Sequence, residues 1–280
     1  MIAIEAVKQA AWEAGALTLE MRRQGLHKIQ DKSSTIDLVT EADLAAEQSL
    51  RRALAQIDPE IEFWGEESNE RPGGSRFWVV DPIDGTTNFA NGLAPYAINI
   101  ALYEADQVQL GVTLELPARR LYWAARDQGA HVQEFDSHGP VGEAARLQVN
   151  RVDTLNQALL TTGFPYHRAE HSDNNLTEFA WFFARAQGVR CMGSAAMDLA
   201  HVAAGIFAAY WEAWLKPWDV APGVLMVQEA GGTVTDYRGA PWQLGSVGIV
   251  ASNGQPALHA ALIEGIQAAR ANLPSKLLDV

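Results

Sequence analysis

The run Phe77-Trp78-Val79-Val80 is an apolar strand that ends on two carboxylates, Asp81 and Asp84, with Pro82 and Gly85 turning the chain around them. Acids gathered at a strand end repel one another and resist burial, so they weaken a fold unless a cation sits between them. Hard oxygen donors of this kind suit magnesium, which also attracts phosphate. This junction restricts the chain to folds in which a sheet edge carries an ionic site.

The bulk properties narrow the partners. With 280 residues the chain is long enough for one large domain or two small ones. Acidic residues outnumber basic ones 34 to 21, a net charge of −13, which disfavours nucleic acid as a partner because duplex binding needs a basic face. Small anionic substrates stay open, since bound cations invert the local field. Cys191 has no second cysteine to pair with; it fits a reducing cytoplasm and reads as a small buried hydrophobe. Glu5, Lys8 and Glu13 break up any secretory pattern at the N-terminus. Asp198, His201, Gly205 and Glu212 interrupt the most apolar segment, Ala195 to Trp214, so no membrane span is expected.

Hydrophobic periodicity predicts helices over 3–24 and from Thr40 to Ile57, the second with Glu41 and Asp43 in its first turn. A strand is expected over Ile61 to Trp64. Short β-rich runs then follow at Phe77–Val80, Ala97–Tyr103, Val108–Leu114, Leu121–Ala125 and Ala130–Phe135, an antiparallel meander. Residues 136–145 read as a loop. Beyond Arg151 strands and helices alternate: strands at 158–162, 209–215, 233–236 and 248–251, helices at 174–187, 194–208, 220–230 and 256–271. The expectation is an α+β protein, a layered sandwich with an antiparallel-sheet half over 1–150 and an α/β half over 151–280.

Glu66 and Glu67 follow one expected strand, Asp81 and Asp84 end the next, and Asp219 opens a helix in Lys-Pro-Trp-Asp-Val-Ala-Pro-Gly. Neighbouring strand ends share an edge, so these side chains, with the Ile83 carbonyl, can converge. Singly, each acid has an ordinary reading as a solvated loop pair, a turn former or a helix N-cap. Together with Thr86, Thr87 and Asn88 they point to one site. The spacing of three between Asp81 and Asp84 is not the Asp-x-Asp of phosphatases that form an aspartyl-phosphate, and no P-loop or His-Glu-x-x-His occurs. Metal-assisted attack by water is the reaction class left.

With Gly-Glu-Glu-Ser at 65–68, Asp-Pro-Ile-Asp-Gly-Thr-Thr-Asn-Phe at 81–89, Gly-Ser-Ala-Ala at 193–196, Trp-Asp-Val-Ala-Pro-Gly at 218–223 and Glu-Ala-Gly-Gly at 229–232, nearly the whole chain resembles the inositol monophosphatase family. That resemblance implies the sugar-phosphatase fold and a magnesium-dependent, lithium-sensitive, cytoplasmic homodimer acting on small phosphorylated polyols or sugars. Inositol 1-phosphate is the leading substrate; fructose 1,6-bisphosphate, histidinol phosphate and 3′-phosphoadenosine 5′-phosphate are rivals, and a non-catalytic regulatory protein is the alternative from another class. It implies two or three magnesium ions held by Glu66, Asp81, the Ile83 carbonyl, Asp84 and Asp219. The attacking water would lie near Glu66 and Thr86, with Thr86 oriented by Asp43. Lys32 and Asp37 would lie just upstream in the same segment. Gly85 and Thr86 would meet phosphate; Gly193, Ser194, Ala195 and Glu212 would meet substrate hydroxyls.

Two departures stand out. Pro222 replaces the family's usual Ala; with Asp219 as N-cap it is expected in the first helical turn, where its missing N–H has no partner to lose. Lys216 stands where some members carry His, leaving the pocket rim open. Phe164 to Arg168 are a further rim candidate, in which Arg168 or His167 either meets a second phosphate or is simply solvated.

Overall fold

The computed structural model describes residues 2–25, 29–34, 37–68, 70–137, 139–169 and 173–271, with the backbone alone over 29–34 and 37–38, so the side chains of Lys32 and Asp37 lie outside it. Helices α1 (Ile4–Arg23) and α2 (Glu41–Ile57) flank a hairpin of β1 (Ile29–Ser34) and β2 (Asp37–Thr40). The strands β3 (Glu62–Gly65), β4 (Arg76–Asp84), β5 (Ala97–Glu104), β6 (Gln107–Glu115), β7 (Arg120–Ala125), β8 (Ala130–Asp136) and β9 (Gly139–Arg146) then lie side by side in chain order, with the short helix α3 (Thr86–Asn91) between β4 and β5. Only the β3–β4 pair of this sheet is parallel.

A second sheet has the order β11-β10-β12-β14-β13, built from β10 (Leu159–Thr162), β11 (Gly188–Arg190), β12 (Ala209–Ala213), β13 (Thr233–Thr235) and β14 (Gly248–Ser252). Its helices are α4 (Leu176–Phe183), α5 (Ala195–Ala203), α6 (Pro217–Glu229) and α7 (Pro256–Arg270).

Strand alternation sets the layers. Along β4, Trp78 and Val80 enter a core with α1 and α2, while Phe77 and Val79 enter another with α5 and α6. That second core continues across α5 and α6 to Tyr210 and Ile249 of the smaller sheet. Trp211 and Val250 face the opposite way, onto Phe182 of α4 and Leu258, Leu262 and Ile266 of α7. The result is five layers, helices and sheets in turn, an α+β sandwich whose central helix pair touches both sheets.

Three expectations are corrected. Residues 139–146 form β9, not a loop; from Pro140 onward its residues lie at the surface or only partly covered, so no apolar alternation marked it. The helix expected over 174–187 spans only Leu176–Phe183 and is followed by the three-residue strand β11. The helix expected to reach Ala208 stops at Ala203, where Gly205 turns the chain at φ +72°.

Candidate active site

Asp81 and Asp84 are three residues apart on β4 but pair with Asn99 and Ala97 of β5, which are two apart. The extra residue is taken up by a bulge that includes Pro82, and it brings both acids to one side of the sheet. Oxygens of Asp81, Asp84 and Asp219 lie within 4.8 Å of one another. Glu66 arrives from β3, the parallel neighbour of β4, where its backbone N–H donates to the Val80 carbonyl at 3.0 Å. Its carboxyl is in hydrogen-bond contact with that of Asp81.

Each acid is aimed by a local bond. Asp81 accepts from the Ile83 N–H at 2.9 Å. Asp84 accepts from the Ser194 hydroxyl and from the Ala196 N–H at 2.9 Å, so the N-terminus of α5 is turned onto it. Asp219 accepts from the Lys216 N–H at 2.7 Å. Burial, then neighbouring carboxylates, pushes Asp81 and Asp219 well above the usual carboxylate range. Burial likewise lifts Asp84 to about 7 against the bonds from Ser194 and Ala196. Such a set is costly as bare anions and well suited to divalent cations.

The start of α2 supplies a second element. Thr40 and Asp43 form a capping box, in which the Asp43 carboxylate accepts from the Thr40 N–H at 2.8 Å and from its hydroxyl. The other Asp43 oxygen lies 3.2 Å from the Thr86 hydroxyl, which is also 2.9 Å from the Ile83 carbonyl. Burial lifts Asp43 to about 6, opposed by the Thr40 bonds.

Glu66, Asp81, Ile83, Asp84, Thr86 and Asp219 open into a cavity of about 930 Å³ that also reaches Gly85, Gly193, Ser194, Ala195 and Glu212. Glu212 sits in β12 and accepts from the Tyr210 hydroxyl at 2.7 Å. Gly163 makes the room for it, since a Cβ there would lie 2.2 Å from a Glu212 oxygen. Burial raises Glu212 to about 8. Cys191 is exposed at the cavity and is not the buried hydrophobe that the sequence suggested, because its segment runs along the cavity wall and not through a core. Asp198 also lines the cavity, with the Thr161 hydroxyl donating to it at 2.6 Å; the sequence marked it only as an acid within an apolar helix.

The expected cap is displaced. Lys216 is the N-cap of α6, Pro217 is its first residue, and Asp219 is its third, where its carboxylate reaches back to accept from the Lys216 N–H. Pro222 therefore lies inside the helix and removes the bond that the Trp218 carbonyl would have accepted. Asn99 replaces it, its side-chain amide donating to the carbonyls of Trp218 at 2.7 Å and Asp219 at 3.0 Å. The Thr113 hydroxyl fixes Asn99 by donating to its side-chain oxygen at 2.5 Å. Gly111 leaves the helix room, as a Cβ there would stand 2.8 Å from Pro222 backbone atoms.

Known proteins match this arrangement along nearly its full length. Residues 3–271 fit the model of the inositol monophosphatase family. The chain belongs to that family. It is 36% identical over 267 residues to an inositol-1-monophosphatase of Synechocystis, covering 95% of this chain and 88% of the relative. It is 36% identical over 252 residues to Nus factor SuhB of Pseudomonas aeruginosa, covering 88% and 89%. An inositol monophosphatase structure from Anabaena superposes with a TM-score of 0.80 at 31% identity, covering 94% of each chain. The extragenic suppressor protein suhB from Bartonella henselae gives 0.83 at 32%, covering 94% and 98%. As an inositol monophosphatase family member the chain is read as a phosphatase, and no helix among its described residues is long and apolar enough to cross a membrane.

Proposed function

We propose that this protein is a magnesium-dependent phosphomonoesterase hydrolysing inositol 1-phosphate or a related polyol or sugar monophosphate. The observation that carries the reading is the meeting of Asp81, Asp84 and Asp219, from two separated segments, within 4.8 Å. An all-carboxylate set reinforced by the Ile83 carbonyl fits a hard divalent ion. Glu66, Asp81, Ile83, Asp84 and Asp219 would hold two or three magnesium ions. Bound there, magnesium supplies Lewis acidity for a phosphoryl oxygen and for water.

The remaining work falls to the chain. The Thr86 hydroxyl, held between Asp43 and the Ile83 carbonyl, turns a lone pair toward a water beside Glu66, orienting it for attack. Gly85 and Thr86 offer backbone N–H groups at the start of α3 to the phosphate. Ser194 acts on Asp84, which it bonds directly, and with Gly193 and Ala195 it shapes the wall that meets the substrate. Glu212, neutral near pH 7 because of its burial, donates to a substrate hydroxyl oxygen. A homodimeric, cytoplasmic enzyme completes the proposal.

A phosphate-release screen tests it, using inositol 1-phosphate, fructose 1,6-bisphosphate, histidinol phosphate and 3′-phosphoadenosine 5′-phosphate with and without magnesium. Magnesium-dependent release from inositol 1-phosphate, inhibited by lithium, is expected. No release from any of them refutes the reading and favours a regulatory role, which the relatives named Nus factor SuhB raise.

A further inference from the structure

We propose that Trp214 forms a stacking wall for a planar ring carried on the alcohol half of the ester, a subsite that rests on the phosphomonoesterase reading and extends it. Trp214 follows β12 directly and adopts φ +68°, the left-handed region that a bulky side chain enters only against steric resistance. Strain of this kind persists where surrounding contacts enforce it, and it gathers at ligand sites. Here the enforcement is visible. The backbone N–H donates to the Val247 carbonyl at 2.7 Å, and the indole N–H reaches Asp173 at 3.3 Å. Asp173 is itself gripped by both terminal nitrogens of Arg270, each at 2.8 Å, in a buried ion pair.

What this anchoring presents is an indole left 43% exposed, lining the cavity that holds Asp219. β10 and β12 are parallel neighbours, so the segment carrying Phe164 and Tyr166 and the segment carrying Trp214 leave the sheet at one edge. Both aromatic residues line the same cavity. At about 930 Å³ the cavity lies at the upper end of the range that encloses a drug-sized ligand, leaving room beyond a phosphate and one small polyol. A polyol set flat against these rings gives up hydrogen bonding on the faces that they cover. A planar ring there loses nothing and gains stacking, which is tolerant of ring identity because every aromatic ring has a π-face.

The test compares 2-phenylethyl phosphate with glycerol 2-phosphate, both alkyl esters, in the wild-type protein, Trp214→Gly and Trp214→Phe. Glycine suits the left-handed backbone and relieves the strain, and phenylalanine keeps a ring should the smaller residue disturb folding. Expected is a loss of kcat/KM in Trp214→Gly about tenfold larger for the ring ester than for glycerol 2-phosphate, carried by KM, with most of it restored in Trp214→Phe. Calorimetry with 2-phenylethylphosphonate and propylphosphonate should show the same selectivity without turnover. Equal losses for both esters, together with equal losses for both phosphonates, overturn the subsite. If the wild-type protein hydrolyses neither ester yet Trp214 still decides phosphonate affinity, the hydrolase reading fails and the subsite stands.

Discussion

The side-chain amide of Asn99 lies 2.7 Å from the Trp218 carbonyl, and it donates the bond that Pro222 withholds. The sheet thus repairs the helix that carries Asp219. A strand residue 119 positions upstream sets the first turn of α6 and, through it, one corner of the acid cluster. The consequence is energetic coupling between Asn99 and Pro222. Asn99→Leu strands a buried carbonyl and should cost about 1–3 kcal/mol. In a Pro222→Ala background the restored N–H serves that carbonyl, and the cost should fall by about 1 kcal/mol. A double-mutant cycle by urea unfolding measures this; zero coupling shows that the Asn99 bond does not replace the missing one.

The Thr86–Asp43 pair predicts a separation of activity from stability. Thr86→Val keeps the volume and removes the hydroxyl, so nothing orients a water next to Glu66. Turnover of inositol 1-phosphate should fall by about 100-fold or more, the usual scale for a positioned proton-transfer group. Thr40 still holds Asp43 through two bonds, so the melting temperature should move little. Thr86→Ser should retain much of the rate. A Thr86→Val protein within threefold of wild type would remove Thr86 from the chemistry.

These relationships differ in how far the sequence displays them. The break from Val80 into Asp81 is a local contrast of apolar and acidic residues, and the strands after it are β-rich runs, so both are read without coordinates. β9 is invisible because a largely uncovered edge strand has no core face to impose alternation. The start of α6 is misplaced because Asp is as natural at the third helical position, accepting from the N-cap N–H, as at the N-cap itself; Pro217 at the first helical position is the signal that decides between them. Asn99 carries no local mark at all. Its role exists only through a contact between residues far apart in the chain. The Asp81–Asp84 bulge is intermediate, since Pro82 announces a break in pairing but not the side to which each acid turns.

The acid cluster predicts opposite responses of the free and metal-loaded protein. Burial, and then the like charges around it, push the Asp219 pKa up, so replacing it with a neutral side chain relieves both. Asp219→Asn keeps an oxygen for the Lys216 N–H and should leave the magnesium-free protein as stable as wild type or more so. Magnesium at about 100 times its dissociation constant should stabilise wild type by about 2.7 kcal/mol, and this gain should largely vanish in the variant along with turnover. Thermal melts with and without magnesium read both effects. A variant that melts lower without the ion and gains as much from it as wild type would remove Asp219 from the ion site.

Glu212 gives the pH dependence. Burial holds its pKa at about 8 in the folded chain, against the ordinary carboxylic value of 4.5. The folded state therefore binds more protons than the unfolded state between those two values, and stability falls as pH rises through that window. Below the unfolded value Glu212 is neutral in both states and exacts nothing. Above about 8 the folded protein bears a buried charge, at a cost of order 5 kcal/mol. Gln has no proton to lose, so Glu212→Gln should escape this term. The unfolding free energy of the variant minus that of wild type should grow from pH 5 to pH 8 and level off beyond, measured in saturating magnesium to hold the cluster acids constant. A difference that stays flat, or shrinks over that range, would mean that Glu212 is already ionised at neutral pH, and its role would then be to accept from a substrate hydroxyl and not to donate to its oxygen.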